Sequence, residues 1–328
     1  MIKKLILAAA FTIAPHFAQA AELGPAVKMV GTYKAEYRDI KSDVVGETFR
    51  IFISEPNMME PGKKYPVIYM LDGNGTFGIA TDVARLLSMG GEIPNAYVVA
   101  VGYSVDNGFM GTLDKRFRDY TPTLGGPLQV AVAQFDSTVE KRGGGGPAFL
   151  KFLQEELKPG IEADYAVDSG DATIAGISLG GLLPAWVLLT APETFQRYVI
   201  ISPSIWWNDE EVWQWEEATA AAKKDIEATV FVTAGGLETQ SLMKQELTAM
   251  AAIEGPGQAA TQQVAALYEQ YGWPRMASIT PEFADKLKSR NYPGLTIDCY
   301  NLPDETHMSV GAGALSRGLR YVFGHWQP

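Results

Sequence analysis

The chain has 328 residues, nearly half of them hydrophobic, with 27 lysines and arginines against 38 aspartates and glutamates, for a net charge of −11. A surface that acidic repels nucleic acid and anionic membranes and offers no long-range attraction to polyanionic substrates. The single cysteine, Cys299, excludes an internal disulfide, and its place in the apolar run LTIDCY marks it as a buried structural thiol.

The first twenty residues, MIKKLILAAAFTIAPHFAQA, put Lys3 and Lys4 ahead of an apolar stretch and end small-x-small at Ala18 and Ala20. This is the pattern of a secretory signal peptide cut after Ala20, and Pro15 and His16 interrupt it too early for a membrane span. Its loss takes away two lysines and no acid, so the mature charge becomes −13 and the expected location is periplasmic or secreted, without membrane insertion. Residues 21–328 contain no internal repeat and no long linker, which predicts a single domain.

Along that domain, β-like runs alternate with helical stretches. TFRIFI alternates with period two, and PVIYML is almost wholly apolar. AYVVAVGY, ATIA, RYVIIS, ATVFVTA and GLTIDCY follow, spaced widely enough for intervening helices such as AFLKFLQEELKPGIE and LLPAWVLLTAPETF. Continuous apolar strands require cover on both faces, so the pattern predicts an α/β three-layer sandwich with a mostly parallel central sheet. Two segments interrupt it. Residues 106–147 are rich in glycine and charge and read as a loop or lid, and residues 242–290 read as two or three helices broken at EGPG and WPR.

The chemistry is concentrated in IAGISLGG, where Gly176, Ser178 and Gly180 spell G-x-S-x-G between a strand and a helix. That context predicts a nucleophile elbow, in which a sharp turn lifts the serine hydroxyl above the sheet edge. Such a serine needs a base, and the mature chain has two histidines. His325, near the C-terminus, reads as a capping or surface residue. His307 lies in the loop after the last strand, in the order expected of an α/β hydrolase. For the carboxylate that orients it, Glu238 after ATVFVTA is preferred to Asp304 and Glu305, which share the loop of His307. The oxyanion donors are expected to be the N–H of Leu179 and that of Gly73 or Asn74, with Asn74 preferred.

Other readings are weaker. Gly73, Gly75 and Gly78 spell G-x-G-x-x-G after a strand, but Asp72 beside a pyrophosphate has the wrong sign, and Glu92 sits in a loop and not at a strand end. Two distant histidines and one cysteine make no metal cluster, so neither metal nor cofactor is expected.

The blocks YPVIYMLDGNG, RFRDYTP, AGISLGG, ISPSIWWND, TAGGLE and ETHMSV occur in the order seen in the esterase D-like esterases. Across residues 48–324 the chain most resembles their branch of siderophore esterases acting on enterobactin-type trilactones. The resemblance implies an α/β-hydrolase fold, no cofactor, a small-molecule ester substrate, and Ser178 and His307 as nucleophile and base. Some members of that family work with a serine-histidine pair alone, so the acid stays open. The likeness also draws attention to Arg116 and Arg118, as clamps for an anionic or catecholate substrate or, in the other reading, as lid pins with Arg118 paired to Asp119 or Glu140. One of Trp206 and Trp207 is expected to line the substrate pocket, with Trp206 the choice, and the other to be core. Because the chain is so acidic, a neutral or aryl ester suits it better than an anionic ferric complex. An acyltransferase of the same fold and a non-catalytic ligand-binding homologue are the alternatives.

Overall fold

The structure is a computed structural model that describes residues 20–324 apart from 30, 106–110, 127–142 and 253–257. The expected signal peptide, Glu140, His325 and the middle of the first insertion therefore lie outside the described residues.

Nine strands form one sheet among those residues: β1 (Val27–Lys28), β2 (Ala35–Lys41), β3 (Thr48–Ser54), β4 (Tyr65–Met70), β5 (Tyr97–Tyr103), β6 (Val167–Ile177), β7 (Arg197–Ile201), β8 (Ala228–Thr233) and β9 (Leu295–Cys299). Their order is β1-β2-β3-β5-β4-β6-β7-β8-β9, antiparallel from β1 to β5 and parallel from β5 to β9. The helices are α1 (Gly73–Met89), α2 (Leu113–Asp119), α3 (Gly146–Phe152), α4 (Lys158–Asp164), α5 (Leu179–Thr190), α6 (Val212–Ala222), α7 (Gln240–Ala251), α8 (Gln258–Tyr271), α9 (Met276–Ser289) and α10 (Val310–Val322). A π-helical turn at Leu153–Leu157 joins α3 to α4.

The apolar strands divide their side chains between two cores, as period two dictates. Ile68, Met70, Val98, Ala100, Val199 and Ile201 face α1 and α10 on one side. Val67, Tyr69, Val99, Val101, Ile200 and Val232 face α3, α5 and α9 on the other. Burial on both sides is why these strands read as continuous apolar runs, and it makes the three layers of an α/β hydrolase.

The structure extends the sequence reading in two places. β6 runs over 11 residues, where ATIA marks only its fully buried second half; the VDSGD half is largely exposed. β2, AEYRDIK, lacks an apolar face to betray it, yet it pairs with β3 at every residue from Ala35 opposite Ser54 to Lys41 opposite Thr48. Backbone pairing along the antiparallel end of the sheet, not a hydrophobic pattern, makes that strand. No helix among the described residues is long and apolar enough to cross a membrane.

Candidate active site

β6 ends at Ile177 and α5 begins at Leu179, so Ser178 is the whole of the turn between them. Its backbone lies at φ 64° and ψ −123°, a conformation that costs a non-glycine residue on the order of 1–3 kcal/mol. The turn closes because its neighbours carry no side chains. A Cβ on Gly176 would lie 1.8 Å from the Gly180 carbonyl oxygen, and one on Gly180 would lie 2.8 Å from Oδ2 of Asp72. The strain is held by backbone bonds: Ser178 N–H donates to the Ile201 carbonyl at 3.0 Å, and the Ser178 carbonyl accepts from Gly181, Leu182 and Ser204. The hydroxyl faces that of Ser204, with the two Oγ atoms 3.5 Å apart.

Glu238 follows β8 and His307 precedes α10, and the chain brings them together by continuing the β8–β9 pairing into both loops. Leu302 N–H donates to the Ala234 carbonyl at 2.9 Å, Gly236 N–H to the Leu302 carbonyl at 2.7 Å, and Leu237 N–H to the Glu305 carbonyl at 3.1 Å. The Glu238 carboxylate is fully buried, and its Oε2 lies 2.9 Å from His307 Nδ1. Its other oxygen accepts from the Ser202 hydroxyl at 2.5 Å and from Gly235 N–H at 2.7 Å. Both oxygens are satisfied, which is what a carboxylate removed from water requires. The competing acids are placed otherwise: Asp304 is exposed, and Glu305 accepts a hydrogen bond from the Ser309 hydroxyl.

Leu179 is the first residue of α5 and Asn74 the second of α1, positions whose N–H groups have no helical acceptor. The Asn74 side chain clamps the end of β5, donating to the Tyr103 carbonyl at 2.9 Å and accepting from Tyr103 N–H at 2.8 Å. Gly73 beside it is buried, whereas Asn74 is partly open.

Sequence reasoning missed the support beneath this loop. Asp72 takes a left-handed φ of 60° and forms a buried two-pronged ion pair with Arg116, at 2.8 and 2.9 Å. Its N–H donates to the Tyr120 hydroxyl at 3.0 Å. Burial works against the Arg116 charge, but Asp72 more than compensates and lifts the guanidinium above its ordinary pKa. Thus Asp72, whose charge spoke against a pyrophosphate at the glycine fingerprint, is matched by an arginine from the first insertion. Glu92, the acid of that same fingerprint, instead pairs with Arg320. The signal available in the sequence was the buried-type acid directly before the glycine turn. Ser202 and Ser204 were also missed, although their SPS sits at the end of a core strand.

Arg118, the second arginine singled out in the first insertion, is held by two acids. It binds Asp119 at 2.6 and 2.9 Å and Glu47 at 3.4 Å, and the Asp119 hydrogen bond is the main cause of a pKa raised above the ordinary arginine value. The Glu47 contact ties α2 to the turn between β2 and β3, the geometry that the pinning reading describes. The tryptophans differ in burial: Trp207 is 1% exposed and donates to the Thr123 hydroxyl, whereas Trp206 lines a pocket of about 330 Å³. That pocket lies between the turn after β7 and the helices of the second insertion, with Gln240, Trp273 and Arg275 on its far walls. Burial pushes the Cys299 thiol up to about 12, far from nucleophilic use at neutral pH. Among the described residues, no group of three or more histidine, cysteine or acidic side chains is arranged to hold a metal.

A positive-φ serine between a parallel strand and its helix, on a sheet of this order, defines an α/β hydrolase. Residues 42–273 match the family described as "Putative esterase", and the chain belongs to that family. It is 32% identical over 294 residues to the ferri-bacillibactin esterase BesA of Bacillus subtilis, covering 88% of this chain and 89% of that protein. It is also similar to the apo-salmochelin esterase of Escherichia coli O6:H1, 29% identical over 56% of each chain. Among solved structures, the BES protein of Bacillus cereus superposes with a TM-score of 0.65 at 28% identity, covering 90% of this chain and 97% of that one.

Proposed function

We propose that the protein is a secreted serine esterase that cleaves an ester of a siderophore-type small molecule through an acyl-enzyme. His307 Nε2 takes the proton of Ser178 Oγ as that oxygen attacks the ester carbonyl. The negative charge on the carbonyl oxygen is met by the N–H groups of Leu179 and Asn74. The tetrahedral intermediate collapses, the C–O bond to the alcohol breaks, and His307 returns its proton to the leaving oxygen. Water then repeats the sequence on the acyl-enzyme and releases the acid. Glu238 holds the Nδ1 proton toward itself and stabilises the imidazolium that forms in both halves.

The observation that carries this reading is the 2.9 Å contact between His307 Nδ1 and the buried Glu238, on loops that flank the strained Ser178 turn. The siderophore class is supported by the relatives, whose names record hydrolysis of such esters.

The test is hydrolysis of p-nitrophenyl acetate and butyrate by the mature protein beside Ser178→Ala and His307→Ala. Turnover is expected to fall by at least about 10⁴-fold in each variant, with binding of substrate retained. Undiminished turnover in Ser178→Ala would overturn the serine mechanism. Sequencing of the exported chain should begin at Ala21.

A further inference from the structure

The pocket at the turn after β7 has aromatic walls and an acidic rim. Trp206 and Trp273 line it, and Tyr268 packs against both, with ring centroids 6.1 and 5.2 Å away. Asp209 is exposed at the rim, and among the described residues no hydrogen bond or ion pair engages its carboxylate. Glu210 lies next to it. Arg275, the cation of the described lining, is already bound by Glu210 at 2.7 and 2.9 Å and by Glu282 at 2.6 Å. Its charge is neutralised before any ligand arrives, and the lining keeps a net negative charge.

Two walls tie the pocket to the reacting groups. Trp206 comes two residues after Ser204, whose hydroxyl faces Ser178, and Gln240 comes two residues after Glu238. The pocket is thus built on the same two loops that carry Ser204 and Glu238.

Flat aromatic walls take a ring, and carboxylate oxygens at the rim take hydrogen-bond donors while repelling anions. Siderophores grip iron(III) through deprotonated oxygens. In the catechol class the metal-free ligand carries those oxygens as O–H donors, and the ferric complex carries them as anions without a proton to give. The relatives include one esterase named for a ferric ligand and one for a metal-free ligand, so kinship leaves the form open.

We infer that this pocket is a subsite for a hydroxylated aromatic ring of the substrate in its protonated, metal-free form, and that Asp209 is the acceptor that discriminates against the metal complex. The inference rests on the esterase reading above. Specificity of this kind is set as much by what the rim repels as by what the walls attract.

The experiment compares kcat/KM for a metal-free tris-catechol trilactone and its iron(III) complex, and for methyl caffeate and its dimethoxy analogue, which lacks the donors. Each is measured with wild type and Asp209→Asn, with p-nitrophenyl acetate as a control too small to need the subsite. Asparagine tolerates the φ of 59° at this position, so the variant should fold. Preference for the metal-free and hydroxylated members is expected to be about tenfold or more in the wild type, and to shrink severalfold in Asp209→Asn, because a charge-assisted hydrogen bond becomes a neutral one. Turnover of p-nitrophenyl acetate should stay the same. Equal or faster cleavage of the ferric complex, or preferences unmoved by Asp209→Asn, would overturn the inference while leaving the esterase reading intact. Failure of both trilactone forms alongside active aryl esters would remove the siderophore assignment, and the caffeate pair would then decide the subsite alone. Loss of the serine mechanism would show separately, as undiminished activity in Ser178→Ala.

Discussion

The catalytic loops and the adjoining pocket share one edge of the sheet but are built on opposite plans. Around Ser178, Glu238 and Asp72, buried backbone and carboxylate groups are matched by close partners, and the loops continue strand pairing. Around Trp206 and Arg275 the chain comes from a turn and a helical insertion, and its ion pairs are partly open to water. Dense pairing of the first kind suits chemistry that needs fixed geometry, and the more open second kind suits the choice of substrate proposed above.

If that contrast holds, damage to the first region should cost turnover on every ester. Glu238→Gln keeps the side-chain shape and the acceptor for Ser202 and Gly235, but removes the charge that selects the His307 tautomer. The kcat on p-nitrophenyl butyrate should fall by about 10²–10⁴-fold, as for the corresponding change in other triads. A loss of less than threefold would mean that a serine-histidine pair suffices and that Glu238 only shapes the loop.

Arg116→Met strikes the same region from below. It leaves the Asp72 carboxylate buried without its cation, a change that costs about 3–5 kcal/mol where one partner of a buried pair is removed. The expected result is a clear drop in melting temperature together with lower kcat, since Asp72 precedes the helix turn that carries Asn74. A melting temperature within a degree of wild type would show that the pair contributes little.

The sequence made the first region largely readable and the second hardly at all, and the reason is physical. A nucleophile elbow allows few residue types, so Gly176, Ser178 and Gly180 announce it; with two histidines beyond residue 20, the base has few candidates. Glu238, which the fold sets against His307, was reachable because it follows the strand where a carboxylate partner was sought. Asp72 with Arg116 and Glu210 with Arg275 were not, because the partners are 44 and 65 residues apart and ion pairing leaves no periodic trace. The same holds for β2, made by backbone pairing to β3 and not by an apolar face. Trp206 and Trp207 show the intermediate case: the sequence offered one as core and one as wall with Trp206 preferred for the wall, and the packing leaves Trp207 1% exposed and Trp206 on a pocket.

The mildest change sharpens the contrast from the pocket side. Arg275→Gln breaks the pairs with Glu210 and Glu282, whose side chains are 29% and 49% exposed, so water already screens them. The stability loss should be about 1 kcal/mol or less at pH 7. Arg275 holds the Glu210 carboxyl below the usual range, mainly through their hydrogen bond. A depressed folded pKa gives stability that is present above the unfolded value, near 4.3, and is lost as pH falls through the lower folded one. The gap in urea midpoint between wild type and Arg275→Gln should therefore be widest near neutrality and should close as the pH is lowered through about 4 and below. Meanwhile kcat/KM for p-nitrophenyl acetate should stay within about twofold of wild type, since a substrate that small makes no use of the pocket. A gap that persists at low pH would place the role of Arg275 in packing of its alkyl stem, and a large fall in acetate turnover would show that the two regions are one.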